Sequence, residues 1–261
     1  MDDADEEGCE DRGGDAAQGA SQPECTHQIQ ISIRARMFPI SDVIPSRTTP
    51  VVTIGLIGLN ALAFLYELRL GDAELDLLAR TAGIVPAAFS PADVLTSMFL
   101  HGGWVHFLGN MLYLWIFGDN VEDRMGHGRF LAFYLLCGIA AALGQTLTVP
   151  HSQIPMVGAS GAIAGVMGAY FVLYPHSRIV TLLPLFIFVQ IIEVPAIFFL
   201  GVWFLMPFLS GVGSIATATG GEPAGGVAFW AHVAGFAAGL VGVFIFRQPE
   251  RQRVEWWNDV R

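Results

Sequence analysis

The chain has 261 residues, 53% hydrophobic and only 14% charged, with a mean hydropathy of +0.54. Soluble domains carry about 25% charged residues, so an ordinary soluble enzyme is excluded. Nine acids against Arg12 in residues 1–24 account for −8 of the net charge of −10, and the near-neutral remainder offers no basic surface for nucleic acid. Cys9, Cys25 and Cys137 are too few and too scattered for a disulfide framework. Cys25 and His27 lack a second ligand pair, so no metal is expected. Cys137, inside an apolar run, reads as a small buried hydrophobe.

Residues 1–36 are acidic and polar and are read as a disordered tail. They hold no apolar signal-peptide core, so insertion is expected to use the first span itself. A juxtamembrane segment follows at 37–49, and residues 50–246 form the core. The first apolar span runs from Val51 to about Leu68, after Pro45 and Pro50. The mixed stretch Gly71–His101 is long for a loop, and its hydrophobes place it partly in the membrane interface. Further spans are expected at about Trp104–Val121, Phe130–Val149 and Met156–Tyr174.

Ile179–Leu209 is 31 mostly apolar residues, too long for one crossing and too short for two. It is read as an interfacial or re-entrant segment to about Glu193, then a fifth span from Pro195 to about Leu209. Pro195 suits a first helical position, where Glu193 would face the positive helix end. A glycine-rich loop, Gly211–Gly226, leads to a sixth span, Val227–Phe246. The tail 247–261, with Arg251, Arg253, Trp256 and Trp257, has the composition of an interfacial anchor. The expected fold is thus an all-α membrane bundle of six transmembrane helices with a partly embedded first loop. Six spans put both termini on one side. That side collects eleven of the thirteen arginines, leaving Arg69 and Arg80 opposite, so both termini are expected in the cytoplasm.

In this topology spans two, four and six all run inward, and each has polar residues near its outer start: His106 and Asn110, Ser160, and His232. At ~1.5 Å per residue these fall in the outer third of the bilayer, where polar groups face one another or a water-filled cavity. Small residues support close approach of spans four and six. Gly161, Ala164, Gly165 and Gly168 lie on one, and Gly235 and Gly239 on the other, on the His232 face. Contact there would bring the Ser160 hydroxyl to an imidazole able to take its proton. No aspartate lies nearby to complete a triad, so a dyad is expected. His106 and Asn110, four residues apart, share a helix face and both donate hydrogen bonds of the kind that stabilise an oxyanion.

Gly158-Ala159-Ser160-Gly161, the pair His106-x-x-x-Asn110 and Ala231-His232-Val233-Ala234-Gly235, in that combination, resemble the rhomboid intramembrane serine proteases. The resemblance extends over about Phe38–Phe246 and includes Val121–Gly126, where Glu122, Arg124 and Gly126 read as structural. It implies a serine endopeptidase acting within the membrane, without a cofactor, on single-pass or polytopic membrane proteins, with the lipid bilayer as a further partner. Ser160 would be the nucleophile and His232 its base. His106, Asn110 and the Ser160 backbone N–H would form the oxyanion site, with Gly158 and Gly161 in the motif loop. The cell membrane is the expected location, with the site opening to the extracytoplasmic side. Many rhomboids carry a Trp-Arg pair in the first loop, where this chain reads Pro91-Ala92-Asp93-Val94. His101 reads as a tether for that loop. Met37-Phe38-Pro39 resembles the beginning of many rhomboids, so residues 1–36 are expected to be dispensable. A catalytically inactive rhomboid-like protein that binds or escorts membrane clients is the alternative. It normally lacks the serine or the histidine.

Overall fold

The computed structural model describes residues 38–185, 188–217 and 228–249. The acidic tail, most of the glycine-rich loop and the Trp256–Trp257 anchor lie outside the described residues. The elements in order are β1 (Phe38–Asp42), α1 (Val51–Glu67), α2 (Asp72–Ala82), α3 (Pro91–Ser97), α4 (Trp104–Met125), α5 (His127–Thr148), α6 (Ser160–Leu173), β2 (Arg178–Leu185), β3 (Phe188–Pro195), α7 (Ala196–Thr217) and α8 (Phe229–Phe246). Among the described residues, α5, α8 and α7 over Ala196–Gly213 are long and apolar enough to cross a membrane, and α1 and α6 are shorter apolar helices. Outward-facing side chains are apolar as well: Leu62, Val105, Val241 and Ile245 are all largely exposed.

α6 is the centre of the bundle. Every residue from Gly161 to Tyr170 is buried, against α4, α5 and α8. Lipid tails are as apolar as leucine, so such contacts rest on close packing rather than on exclusion from water. Glycine supplies the closeness. A Cβ on Gly235 would run into the Gly161 carbonyl, and one on Gly239 into the Gly165 carbonyl. The expected meeting of the two small-residue faces is present. The same α6 glycines also seat α5, since a Cβ on Gly161 or Gly165 would strike Ala141 or Cys137.

α1 is fastened to α4 by one carboxylate. Glu122, 1% exposed, accepts the Val52 N–H (2.9 Å), the Thr53 N–H (2.8 Å) and the Thr53 hydroxyl (2.8 Å), and His127 Nδ1–H donates to it at 2.5 Å. It thereby satisfies first-turn amides of α1 that have no acceptor within their own helix. Gly126, at φ 80°, then lets α5 start one residue after α4 ends.

Two expectations are corrected. The bundle is not all-α, because β1, β2 and β3 form an antiparallel sheet in that order. Phe38 pairs with Leu182 and Asp42 with Ile179, while Arg178–Leu185 pairs with Pro195–Phe188. The segment read as interfacial or re-entrant is a hairpin, and Glu193, read as facing a helix end, pairs across strands with Arg178 at 2.9 Å. The first loop also contains two helices, α2 and α3. Pro91-Ala92-Asp93-Val94, the stretch without the Trp-Arg pair, lies on α3. The sheet is tied to the bundle through Asp42, which accepts the Tyr170 hydroxyl (2.5 Å) and Asn120 Nδ2–H (2.9 Å). Burial pushes the Asp42 carboxyl up to about 6, against the opposing effect of the Tyr170 hydrogen bond.

Candidate active site

Ser160 is the first residue of α6, and no side chain caps that helix. The first intrahelical bond runs from the Ile163 N–H to the Ala159 carbonyl (3.0 Å), so the Ser160 N–H has no acceptor within its own helix. His232 sits in the first turn of α8. That turn is held by Gln145 of α5, whose Oε1 accepts the Ala231 N–H at 3.1 Å. Its ring packs against Trp203 of α7, with centroids 5.8 Å apart. The α6–α8 glycine contact then sets the separation: His232 Nε2 lies 2.8 Å from Ser160 Oγ. Among the described residues no acidic side chain is bonded to the other ring nitrogen. The pair has the geometry of a Ser-His dyad.

His106 and Asn110 of α4 converge on the same place from the opposite side. Gly158 adopts φ +125°, and a Cβ there would lie 2.7 Å from His106 Cε1 and Nε2 and 3.6 Å from Asn110 Nδ2. Only a glycine leaves room for that imidazole in that backbone conformation. The Gly158 N–H is fixed by the Ser97 carbonyl of α3 at 2.8 Å. The Gly102 N–H donates to His106 Nδ1 (3.2 Å), so in the neutral ring the proton sits on Nε2, the atom facing Gly158. Asn110 Nδ2 is buried and has no hydrogen-bond partner. Two side-chain donors and a helix-terminal amide are thus gathered around the serine, and the arrangement suits a developing oxyanion. A cavity of about 20 Å³, lined by Ser97, Met156, Gly158 and Ser160 among others, adjoins it. That is room for one water.

The structure brings together all six residues singled out from the sequence. Gln145, Trp203, Gly102 and Ser97, which hold them in place, were missed. A glutamine inside an apolar span was the one signal among them. Among the described residues no group of three or more His, Cys, Asp or Glu side chains is placed to hold a metal ion. Cys25 and His27 lie outside them. His101, expected to tether the loop, donates its backbone N–H to the Glu67 carboxylate (3.1 Å).

The chain is 31% identical over 169 residues to Rhomboid protein 1, mitochondrial, of Saccharomyces cerevisiae, covering 63% of this chain and 44% of that protein. It is 35% identical over 124 residues to the rhomboid protease GluP of Bacillus subtilis, covering 46% of this chain and 24% of that one. With the human presenilin-associated rhomboid-like protein, mitochondrial, identity is 32% over 102 residues, or 37% and 26% of the two chains. The match spans less than half the length of each relative. The model of the rhomboid domain matches residues 89–249, which is more than half of the chain and contains every site residue above; the protein belongs to the rhomboid family.

Proposed function

We propose that this protein is an intramembrane serine endopeptidase that hydrolyses peptide bonds of transmembrane substrates through Ser160 and His232. The observation that carries the proposal is the 2.8 Å contact between His232 Nε2 and Ser160 Oγ, and the unpartnered Asn110 Nδ2 supports it. The hydroxyl attacks the scissile carbonyl carbon while His232 Nε2 takes its proton. The resulting oxyanion is held by the Ser160 N–H, His106 Nε2–H and Asn110 Nδ2–H. His232 returns the proton to the leaving amine, an acyl-serine remains, and water activated by the same imidazole releases it.

The helices α1, α4, α5, α6, α7 and α8 are the six spans of this reading. The arginine distribution supports cytoplasmic termini and outer ends for the starts of α4, α6 and α8. α6 has 14 residues and so spans about 21 Å of a hydrocarbon layer ~30 Å thick, which supports a serine lying below the outer surface. A stable substrate helix hides its peptide groups in its own hydrogen bonds. Cleavage should therefore favour segments with helix-weakening residues near the outer side.

The test is reaction of the purified protein with a fluorophosphonate serine probe, paired with cleavage of a reconstituted transmembrane substrate. The native protein should be labelled and should cleave, and Ser160→Ala should do neither. His232→Ala should abolish cleavage while remaining inserted and folded. A native serine inert to the probe in a folded, bilayer-reconstituted protein would overturn the proposal in favour of a binding role.

A further inference from the structure

A cavity of about 440 Å³ lies between the C-terminal end of α1, α2 and the turn before α4, within the range of small-ligand sites. Phe64, Leu70, Leu75 and Leu78 give it apolar walls. Glu67 and His101 line it too, and both are buried, at 4% and 6% exposure. The two oxygens of Glu67 share a single donor, the His101 backbone N–H, at 3.1 Å each. A carboxylate offers about four acceptor sites, and among the described residues no cation pairs with this one. The His101 Nδ1–H donates to the Phe99 carbonyl at 3.2 Å, which leaves Nε2 as an acceptor. That nitrogen is buried with no partner.

One buried acceptor without a partner, His101 Nε2, beside a buried carboxylate with acceptor sites to spare calls for a ligand that only donates and that carries positive charge. An ammonium group has three N–H donors and no acceptor. The position selects the carrier. α2 exposes Leu77 beside Asp72, Glu74 and Arg80, the composition of a helix lying in the headgroup layer, and it follows α1 after a four-residue turn.

We propose that this cavity binds an aminophospholipid of the phosphatidylethanolamine class. Glu67 is the counter-ion of its primary ammonium, His101 Nε2 the second acceptor, and the leucines cover its apolar backbone. Gly102, which also lines the cavity, is the residue that donates to His106 Nδ1, so an occupied cavity abuts the support of the candidate active site.

The full chain in nanodiscs of equimolar dioleoyl phosphatidylethanolamine, phosphatidylcholine and phosphatidylglycerol tests this by native mass spectrometry of the lipids retained. Cleavage is not involved, so the outcome is independent of the proposed protease activity. Phosphatidylethanolamine should be retained about tenfold over phosphatidylcholine, which has the same charge but no N–H donor. Glu67→Gln still accepts the His101 N–H and should bring that ratio near one. Leu75→Trp, which fills the cavity and leaves Glu67 in place, should do the same. Equal retention of the two lipids by the native protein would overturn the proposal, as would an unchanged preference in both variants. Displacement of the lipid by millimolar ethanolamine alone would assign the cavity to soluble amines and overturn the lipid assignment.

Discussion

Gly158→Ala is the smallest change that separates the oxyanion donors from the Ser160–His232 pair. At φ +125° an alanine is strained by about 1–3 kcal/mol. Its methyl carbon would lie 2.7 Å from two atoms of the His106 ring, against an ordinary contact of 3.4 Å or more, so the ring must retreat by about 0.7 Å. A misplacement of ~1 Å in a catalytic group costs on the order of 10²-fold in rate, equivalent to about 2.7 kcal/mol of lost transition-state stabilisation. Cleavage of a fluorescent transmembrane substrate in proteoliposomes should therefore fall by about 10²-fold, and the apparent Tm should drop by several degrees. Fluorophosphonate labelling of Ser160 should slow but still go to completion, because the 2.8 Å contact to His232 is untouched. The clash has one partner, so adding Gly158→Ala to a His106→Ala background should cost little further activity. A Gly158→Ala protein that cleaves within twofold of native would refute the reasoning. Strongly additive losses in the double variant would do the same.

Gly239→Ala drives a methyl into the Gly165 carbonyl and should lower stability by about 1–3 kcal/mol or more, read as a fall in apparent Tm in detergent. Glu122→Ala strands the Val52 and Thr53 amides and the Thr53 hydroxyl, an expected loss of about 3 kcal/mol in chemical unfolding, with residual activity tracking the folded fraction. Asp42 gives a pH prediction. Its carboxyl is raised to about 6 in the folded chain, so the folded state holds the proton more tightly than the unfolded one. Its contribution is complete below about pH 4 and is lost as pH rises through 6. Apparent Tm should fall across that window in the native protein and less in Asp42→Asn.

Apolar length located the helices well, because a membrane-spanning helix must satisfy every backbone group within itself. Val51–Leu68 became α1 at Val51–Glu67, and Phe130–Val149 became α5 at His127–Thr148. The sheet escaped because its outward face carries apolar residues as well, alongside Arg178 and Glu193. Phe38, Leu182 and Ile191 pair side by side, with Phe38 and Ile191 largely exposed, while Ile179 and Thr181 are fully buried on the other side. Apolar residues on both faces erase the alternation that marks a strand. Three polar helix starts were legible as one site, since polar groups at a shared depth have few partners but one another. The details that set the geometry were not. The bond from the Ala231 N–H, at the start of α8, to Gln145 of α5 and that from the Gly102 N–H to His106 depend on which backbone atoms meet side chains of other segments. The α6 glycines pointed to a close neighbour without saying that there are two, α5 and α8.

A hydrolase in a bilayer, the role proposed for this protein, would face two problems with a common solution. Helix starts leave backbone amides without intrahelical acceptors, which is costly in hydrocarbon, and an acyl transfer needs fixed donors where negative charge develops. Capping the start of α6 with a side chain would have relieved the first problem and occupied those donors. The helix is instead uncapped, and its first residue is the proposed nucleophile. The other chemical groups come from the starts of α4 and α8, where neighbouring side chains take up spare amides: Gln145 on Ala231 and His106 on Gly102. What remains without an acceptor, the Ser160 N–H in its own helix and Asn110 Nδ2, points to the place where the proposed reaction builds an oxyanion. The tight glycine packing of α6 on α8 belongs to the same solution. Donors help a transition state only if they need no reorganisation to meet it, and a helix seated on its neighbour's backbone has little freedom to move.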